Sequence, residues 1–144
     1  MATSLDLSDY RSLAELRYQI RRFLHFSEQA ARAVHLEPRQ HQLLLALKGL
    51  PDGVSPRIRE LAERLQIQHH SAVELVNRLV AGGYVRRQRE SDDRREVLLV
   101  LTPKGSRVLR QLTLHHRQEL RQRGPALIAA LRRVVQDRKD SLPG

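Results

Sequence analysis

The 144-residue chain has no cysteine and no tryptophan. Without cysteine there are no disulfides, no thiolate metal sites and no thiol redox switch. Aromatic residues make up 3% of the chain, so a core must come from packed Leu, Val and Ala rather than from rings. No apolar run approaches the roughly 20 residues a membrane helix needs, and the N-terminus has no signal-peptide core. These absences lead us to expect a cytoplasmic protein without a membrane partner. Lysine is also scarce. It occurs only at Lys48, Lys104 and Lys139, which leaves 23 arginines among the 26 basic residues against 16 acidic ones. A net charge of +10 carried by forked guanidinium groups suits planar anionic acceptors, phosphate above all.

Hydrophobic content of 40% is ordinary for a globular chain, and 144 residues suffice for one modest core. The informative stretch runs from Ser55 to Leu101. Ser55 can cap a helix and Pro56 fits its first position, where no N–H is needed. Ile58, Leu61, Ala62 and Leu65 then form one apolar helical face. Gln66, Ile67 and Gln68 make a turn, with Ile67 tucked inward. A second helix buries Ala72, Leu75, Val76 and Leu79 and ends at Gly82-Gly83, because glycine readily takes the left-handed conformation that closes a helix. Its outer face holds Gln68, His69, His70, Ser71, Glu74, Asn77 and Arg78. These short hydrogen-bonding groups suit base edges and phosphates.

Two strands follow, Tyr84 to Arg89 with Arg86 and Arg87, and Glu96 to Leu101, a nearly continuous apolar run. The polar loop between them carries Asp93, Arg94 and Arg95. A hairpin tipped with arginine can lie along a narrow minor groove. A solvated hairpin with local ion pairs is the plain alternative, and the helix pair before it favours the groove. The expected fold is therefore mainly α with a small β-hairpin (α+β), a winged helix-turn-helix.

Around this unit the periodicity predicts a long first helix from about Asp9 to Val34, after an arm of residues 1–8. Leu13, Leu16, Ile20, Phe23, Leu24, Ala31 and Val34 keep its apolar stripe. Pro38 starts a second helix that ends at Gly49, and Val54 is a candidate for a short third strand. Thr102 caps a further helix from Pro103 to about Gln122. Gly124-Pro125 is expected to break it, and a last helix follows to about Arg138. The first and last helices carry more apolar surface than one small lobe can cover, which points to a second copy of the chain. The expected organisation is N-terminal dimerisation helix 1–36, DNA-binding lobe 37–101, and C-terminal dimerisation helices and tail 102–144.

The run Arg59-Glu60-Leu61-Ala62-Glu63-Arg64-Leu65, then Leu75-Val76-Asn77-Arg78-Leu79, Gly83-Tyr84-Val85-Arg86-Arg87, Asp92-Asp93-Arg94-Arg95 and Leu99-Val100-Leu101-Thr102-Pro103-Lys104-Gly105 resembles the MarR family of transcriptional regulators. The resemblance spans roughly residues 10–137. It implies a homodimer with a winged helix in each lobe; two symmetric reading helices would bind an imperfect DNA palindrome, and binding that blocks a promoter would make the protein a repressor. It also implies a small aromatic or anionic effector, for which Tyr18, Arg22, Phe26 and His41 are the candidate wall residues. In the family's wing pattern Asp93 holds Arg95, with Arg94 between them. The start of the reading helix, Gln68-His69-His70, departs from the arginine, serine or threonine more usual in the family, so the base preference stays open.

Enzyme chemistry finds little support. Neither a HExxH sequence, a glycine-rich phosphate loop nor a nucleophile elbow occurs. The pairs His69-His70 and His115-His116 point about 100° apart on a helix, so neither pair serves one metal easily. His115 and His116 with Glu119 make at most a partial metal site. No cofactor is expected. Two other readings remain open, a sequence-indifferent architectural DNA binder and a winged-helix module for protein contacts.

Overall fold

The computed structural model describes residues 4–89 and 97–136. Its elements are α1 (Leu7–Ala33), α2 (Pro38–Lys48), α3 (Ile58–Leu65), α4 (His69–Ala81), β1 (Val85–Arg89), β2 (Val97–Leu101) and α5 (Pro103–Val135). The fold is thus mainly helical with one antiparallel hairpin, as the periodicities predict. The chain divides into two compact units, Ala30–Thr113 and Met1–Gln29 with Leu114–Gly144.

The Ala30–Thr113 unit is built around leucines. Leu43, Leu44 and Leu47 of α2 pack with Leu61 of α3, Leu75, Val76 and Leu79 of α4, Val85 and Leu99 of the hairpin, and Leu109 and Leu112 of α5. Three helices around this core end in the same way. Leu36 N–H donates to the Ala31 carbonyl and His35 N–H to Arg32. The bonds from Ile67 to Ala62 and Gln66 to Glu63, and from Tyr84 to Leu79 and Gly83 to Val80, repeat that pattern. Each is a Schellman closure, with the residue at the left-handed position having positive φ: His35, Gln66 and Gly83. Only the third uses glycine. At the other two sites the next residue, buried Leu36 or half-buried Ile67, packs onto the core and holds the closure shut. The turn between α3 and α4 is the second of these closures, followed by Gln68 in an extended conformation as the N-cap of α4.

The start of α3 corrects the expectation from Ser55 and Pro56. The helix begins at Ile58, with Arg57 as its N-cap. Residues 55 and 56 lie outside it because the Pro56 carbonyl accepts the Leu99 N–H of β2 at 2.9 Å. This single bond falls near the place where Val54 was expected to add a third strand. The sheet itself has two strands, paired Val85 with Leu101 through Arg89 with Val97.

The junction of hairpin and α5 shows why Thr102-Pro103-Lys104-Gly105 reads as it does. Thr102 is the cap expected, its Oγ1 accepting the Gly105 N–H at 3.0 Å. The same hydroxyl donates to the Gly83 carbonyl at 2.6 Å, and the Thr102 N–H donates to the Tyr84 carbonyl at 3.1 Å. Lys104 Nζ donates to the Gly82 carbonyl at 2.7 Å and sits 4.5 Å from the centre of the Tyr84 ring. Carbonyls left over at the end of α4 are thereby satisfied from the start of α5. Gly105 makes the approach possible, since a Cβ there would lie 2.0 Å from the Tyr84 carbonyl oxygen.

In the other unit, α1 starts two residues earlier than expected. Asp6 caps it, accepting the Ser8 N–H at 2.9 Å, while Asp9 Oδ2 accepts the Asp6 N–H at 2.8 Å. This is a capping box built from two aspartates. α5 also departs from expectation, since it continues through Gly124-Pro125 to Val135 as one helix. A proline inside a helix removes one backbone bond and crowds one carbonyl, which bends a helix more readily than it ends one when good helix formers follow. Here Ala126, Leu127, Ala129, Ala130 and Leu131 follow. Within this unit the Phe26 ring stacks on His115, with centroids 4.9 Å apart, and meets His116 edge-on at 5.2 Å. His116 Nε2 is 2.8 Å from Oγ of buried Ser27.

The unit leaves a long apolar surface open. Tyr10, Leu13 and Leu24 of α1 and Leu120, Ile128, Leu131 and Val135 of α5 are all exposed, Ile128 at 51% and Leu131 at 48%. Among the described residues no helix is long and apolar enough to cross a membrane.

Candidate nucleic-acid interface

The second helix of the helix-turn-helix presents one buried and one open face. Ala72, Leu75, Val76 and Leu79 are buried. Gln68, His69, His70, Glu74, Asn77 and Arg78 are exposed and Ser71 is half-buried. The spacing that hides one set turns the other outward. Because α4 begins at His69, the exposed Gln68-His69-His70 group stands at the helix end whose free amides favour anions.

Beside α4 stands the hairpin. β1 buries only Val85, so Arg86, Arg87 and Arg89 are exposed. Arg86 donates to Gln88 Oε1 at 3.5 Å along the strand. Arg87 reaches back to α4, where its Nη2 donates to Asn77 Oδ1. This Asn77–Arg87 contact joins two residues that sequence reasoning had treated separately, ten positions apart. Arg89 also belongs to the basic strand, though the pattern had not singled it out as a site residue. Asp93, Arg94 and Arg95 lie outside the described residues.

The four effector candidates are distributed differently. Arg22 and Phe26 line a cleft of about 490 Å³ in the Met1–Gln29 and Leu114–Gly144 unit. Gln19, Phe23, His25, Gln29, Glu119, Leu120, Arg123, Gly124 and Leu127 complete its lining. The Arg22 guanidinium sits 5.6 Å from the centre of the Tyr18 ring, and Tyr18 is not among the lining residues. His41 belongs to the Ala30–Thr113 unit and is buried there, its Nδ1 3.4 Å from Gln42 Nε2. His25, Gln29 and Arg123 were not anticipated. For His25 and Gln29 the available signal was their spacing from Arg22 and Phe26, three residues on in each case. Inside the cleft Arg123 Nε is 3.0 Å from Glu119 Oε1. Among the described residues no group of three or more His, Cys, Asp or Glu side chains could hold a metal.

A helix pair joined by a tight turn, an open polar face on the second helix and a basic hairpin beside it define a winged helix-turn-helix protein. The model of the MarR family matches residues 36–96, so this lobe is similar to the lobe of that family. Members of that family are transcriptional regulators rather than enzymes. Solved structures share the fold over most of their length. RV1404 from Mycobacterium tuberculosis is 26% identical, with 83% of this chain and 80% of that one covered and a TM-score of 0.66. AbsC, a MarR family transcriptional regulator from Streptomyces coelicolor, is 21% identical with 85% and 82% covered and a TM-score of 0.70. A mutant of MepR from S. aureus, solved bound to an oligodeoxyribonucleotide, is 18% identical with 74% and 76% covered and a TM-score of 0.63. No curated protein matches the chain in sequence.

Proposed function

We propose that two copies of this chain form a homodimer that binds an imperfect palindrome in duplex DNA and represses transcription from the promoter it covers. The observation that carries this reading is the open polar face of α4 beside the arginines of β1, in a lobe that matches the MarR family. The MepR structure with its bound oligodeoxyribonucleotide, similar in fold, supports it. Gln68, His69, His70, Ser71 and Glu74 face the major groove, with Asn77 and Arg78 farther along the helix. Arg86 contacts phosphate, while Arg87, bonded to Asn77, backs the reading helix. Arg94 and Arg95 of the wing enter the minor groove, Asp93 orienting Arg95. The exposed apolar residues of α1 and α5 support the second copy, because a surface of that extent is usually covered. A two-fold pair of reading helices would enter successive major grooves about 34–36 Å apart. We place the protein's action in the cytoplasm.

Selection of bound fragments from a genomic library at physiological salt tests this directly. We expect one enriched palindrome, A·T-rich where the wings land, with affinity that falls steeply as salt rises because bound arginines release counterions. Uniform recovery would overturn the reading in favour of an architectural binder. Recovery of nothing would leave a winged-helix module for protein contacts.

A second element concerns release from DNA. The cleft lined by Arg22 and Phe26 supports a small aromatic acid as effector, the guanidinium meeting the carboxylate and the rings holding the apolar body. In thermal-shift measurements with a panel of aromatic carboxylates, at least one should raise the melting temperature by several degrees, and Arg22→Ala should abolish that shift. No stabilisation by any member of the panel would mean that the regulator acts without such a ligand.

A further inference from the structure

Asn77 carries both a donor and an acceptor and would suit adenine if it were free to reach one. Instead its Oδ1 is occupied by Arg87. Three observations give that contact a purpose. First, alternation along β1 puts Val85, Arg87 and Arg89 on one face of the strand and Arg86 and Gln88 on the other. Val85 is buried in the core, and Arg87 on the same face reaches α4. Secondly, the two strands are anchored unequally. β2 is held by buried Leu99, whose N–H also bonds the Pro56 carbonyl, whereas β1 has no buried residue after Val85. Arg87 pairs with Leu99 across the hairpin, so its side chain ties the less anchored strand to α4 at that level. Thirdly, Asn77 is eight residues beyond His69, about 12 Å along the helix axis at about 1.5 Å per residue. Base edges are read chiefly by the N-terminal residues of such a helix.

We propose that Asn77 and Arg87 form a strut between the reading helix and the hairpin. Asn77 is a positioning residue that supplies an acceptor and reads no base. A guanidinium has donors only, so it takes the amide through Oδ1, and the Nδ2 donors play no part in the link. By fixing the pitch of β1 against α4, the strut sets where the hairpin meets DNA once the first helical turn of α4 is seated. This inference rests on the DNA-reading function proposed above.

The chemistry separates the strut from a base contact. Asn77→Asp keeps an acceptor for Arg87 and removes the Nδ2 donors, while Asn77→Leu removes both. The test compares the full chain, these two variants, Arg87→Met and the double variant Asn77→Leu/Arg87→Met on the fragment library. Amide hydrogen exchange of residues 86–89 is measured in parallel. Asn77→Asp should select the same bases as the wild type at every position. Asn77→Leu and Arg87→Met should each lose about tenfold in affinity, as for one charge-assisted bond, with preference lost at the flanks and kept at the centre of each half-site. The double variant should be no weaker than either single one, because the two side chains act as a unit. Exchange at 86–89 should quicken about tenfold in Asn77→Leu and return to the wild-type rate in Asn77→Asp. A changed base preference in Asn77→Asp, additive losses in the double variant, or exchange unaltered in Asn77→Leu would each overturn the strut. If the wild type itself selects no site, the regulator reading fails, and the exchange rates alone then decide the strut.

Discussion

Gly105→Ala should destabilise the Ala30–Thr113 unit by at least about 3 kcal/mol, near the upper end for overpacking a well-filled site. The added methyl carbon would stand 2.0 Å from the Tyr84 carbonyl oxygen. It faces backbone, not the movable end of a side chain. That carbonyl is itself held, accepting the Thr102 N–H at 3.1 Å, and the neighbouring Gly83 carbonyl accepts the Thr102 hydroxyl at 2.6 Å. Separating Gly105 from Tyr84 by more than an ångström therefore pulls α5 away from the end of α4 and breaks the bonds that join them. Denaturant unfolding measures the loss. Stability within about 1 kcal/mol of the wild type would show that the close approach is not maintained in solution. The same variant should also lose DNA binding in proportion to its unfolded fraction, since α4 is one side of the junction.

Leu131→Asp should leave the single chain folded and prevent the dimer proposed above. Leu131 is 48% exposed in the isolated chain, so little of its own packing is lost, yet it stands among the exposed apolar residues proposed to meet a second copy. A carboxylate placed there by two-fold symmetry would enter the interface from both copies, unpaired and stripped of water. Sedimentation should report a monomer with unchanged helix content. Affinity for the proposed palindrome should fall by about 10² to 10⁴, the gain that linking two binding modules ordinarily supplies. A variant that remains dimeric would remove this face of α5 from the interface, and a monomer that still binds the palindrome at wild-type strength would remove the need for two reading helices.

What could be read in advance followed from local chemistry. Pro38 opens α2 because a first helical residue needs no N–H, and Gly83 closes α4 because it accepts positive φ. Thr102 caps α5 through a bond three residues long. The buried stripe of α4 is plain from spacing alone, and with it the identity of the residues left facing outward. Where reading by local rules failed, a competing interaction prevailed over the local signal. Ser55-Pro56 has the form of a helix start, but β2 claims the Pro56 carbonyl from more than forty residues away. Gly124-Pro125 has the form of a stop, but the good helix formers on either side carry α5 through it. His35 and Gln66 occupy left-handed positions that a search for glycine passes over, held there because Leu36 and Ile67 pack next to them.

Apart from the start of α3 and the continuity of α5, the sequence by itself determined which segments are helices, which face of each is apolar and which polar face α4 turns outward, because these depend on periods of 3.6 and 2 and on caps within a few residues. Only the tertiary structure decided that Arg87 spends its donors on Asn77, that Lys104 and Thr102 close the end of α4, and that Arg22 and Phe26 share a cleft with Arg123. Each of these brings together groups far apart along the chain, and no local periodicity encodes such a meeting.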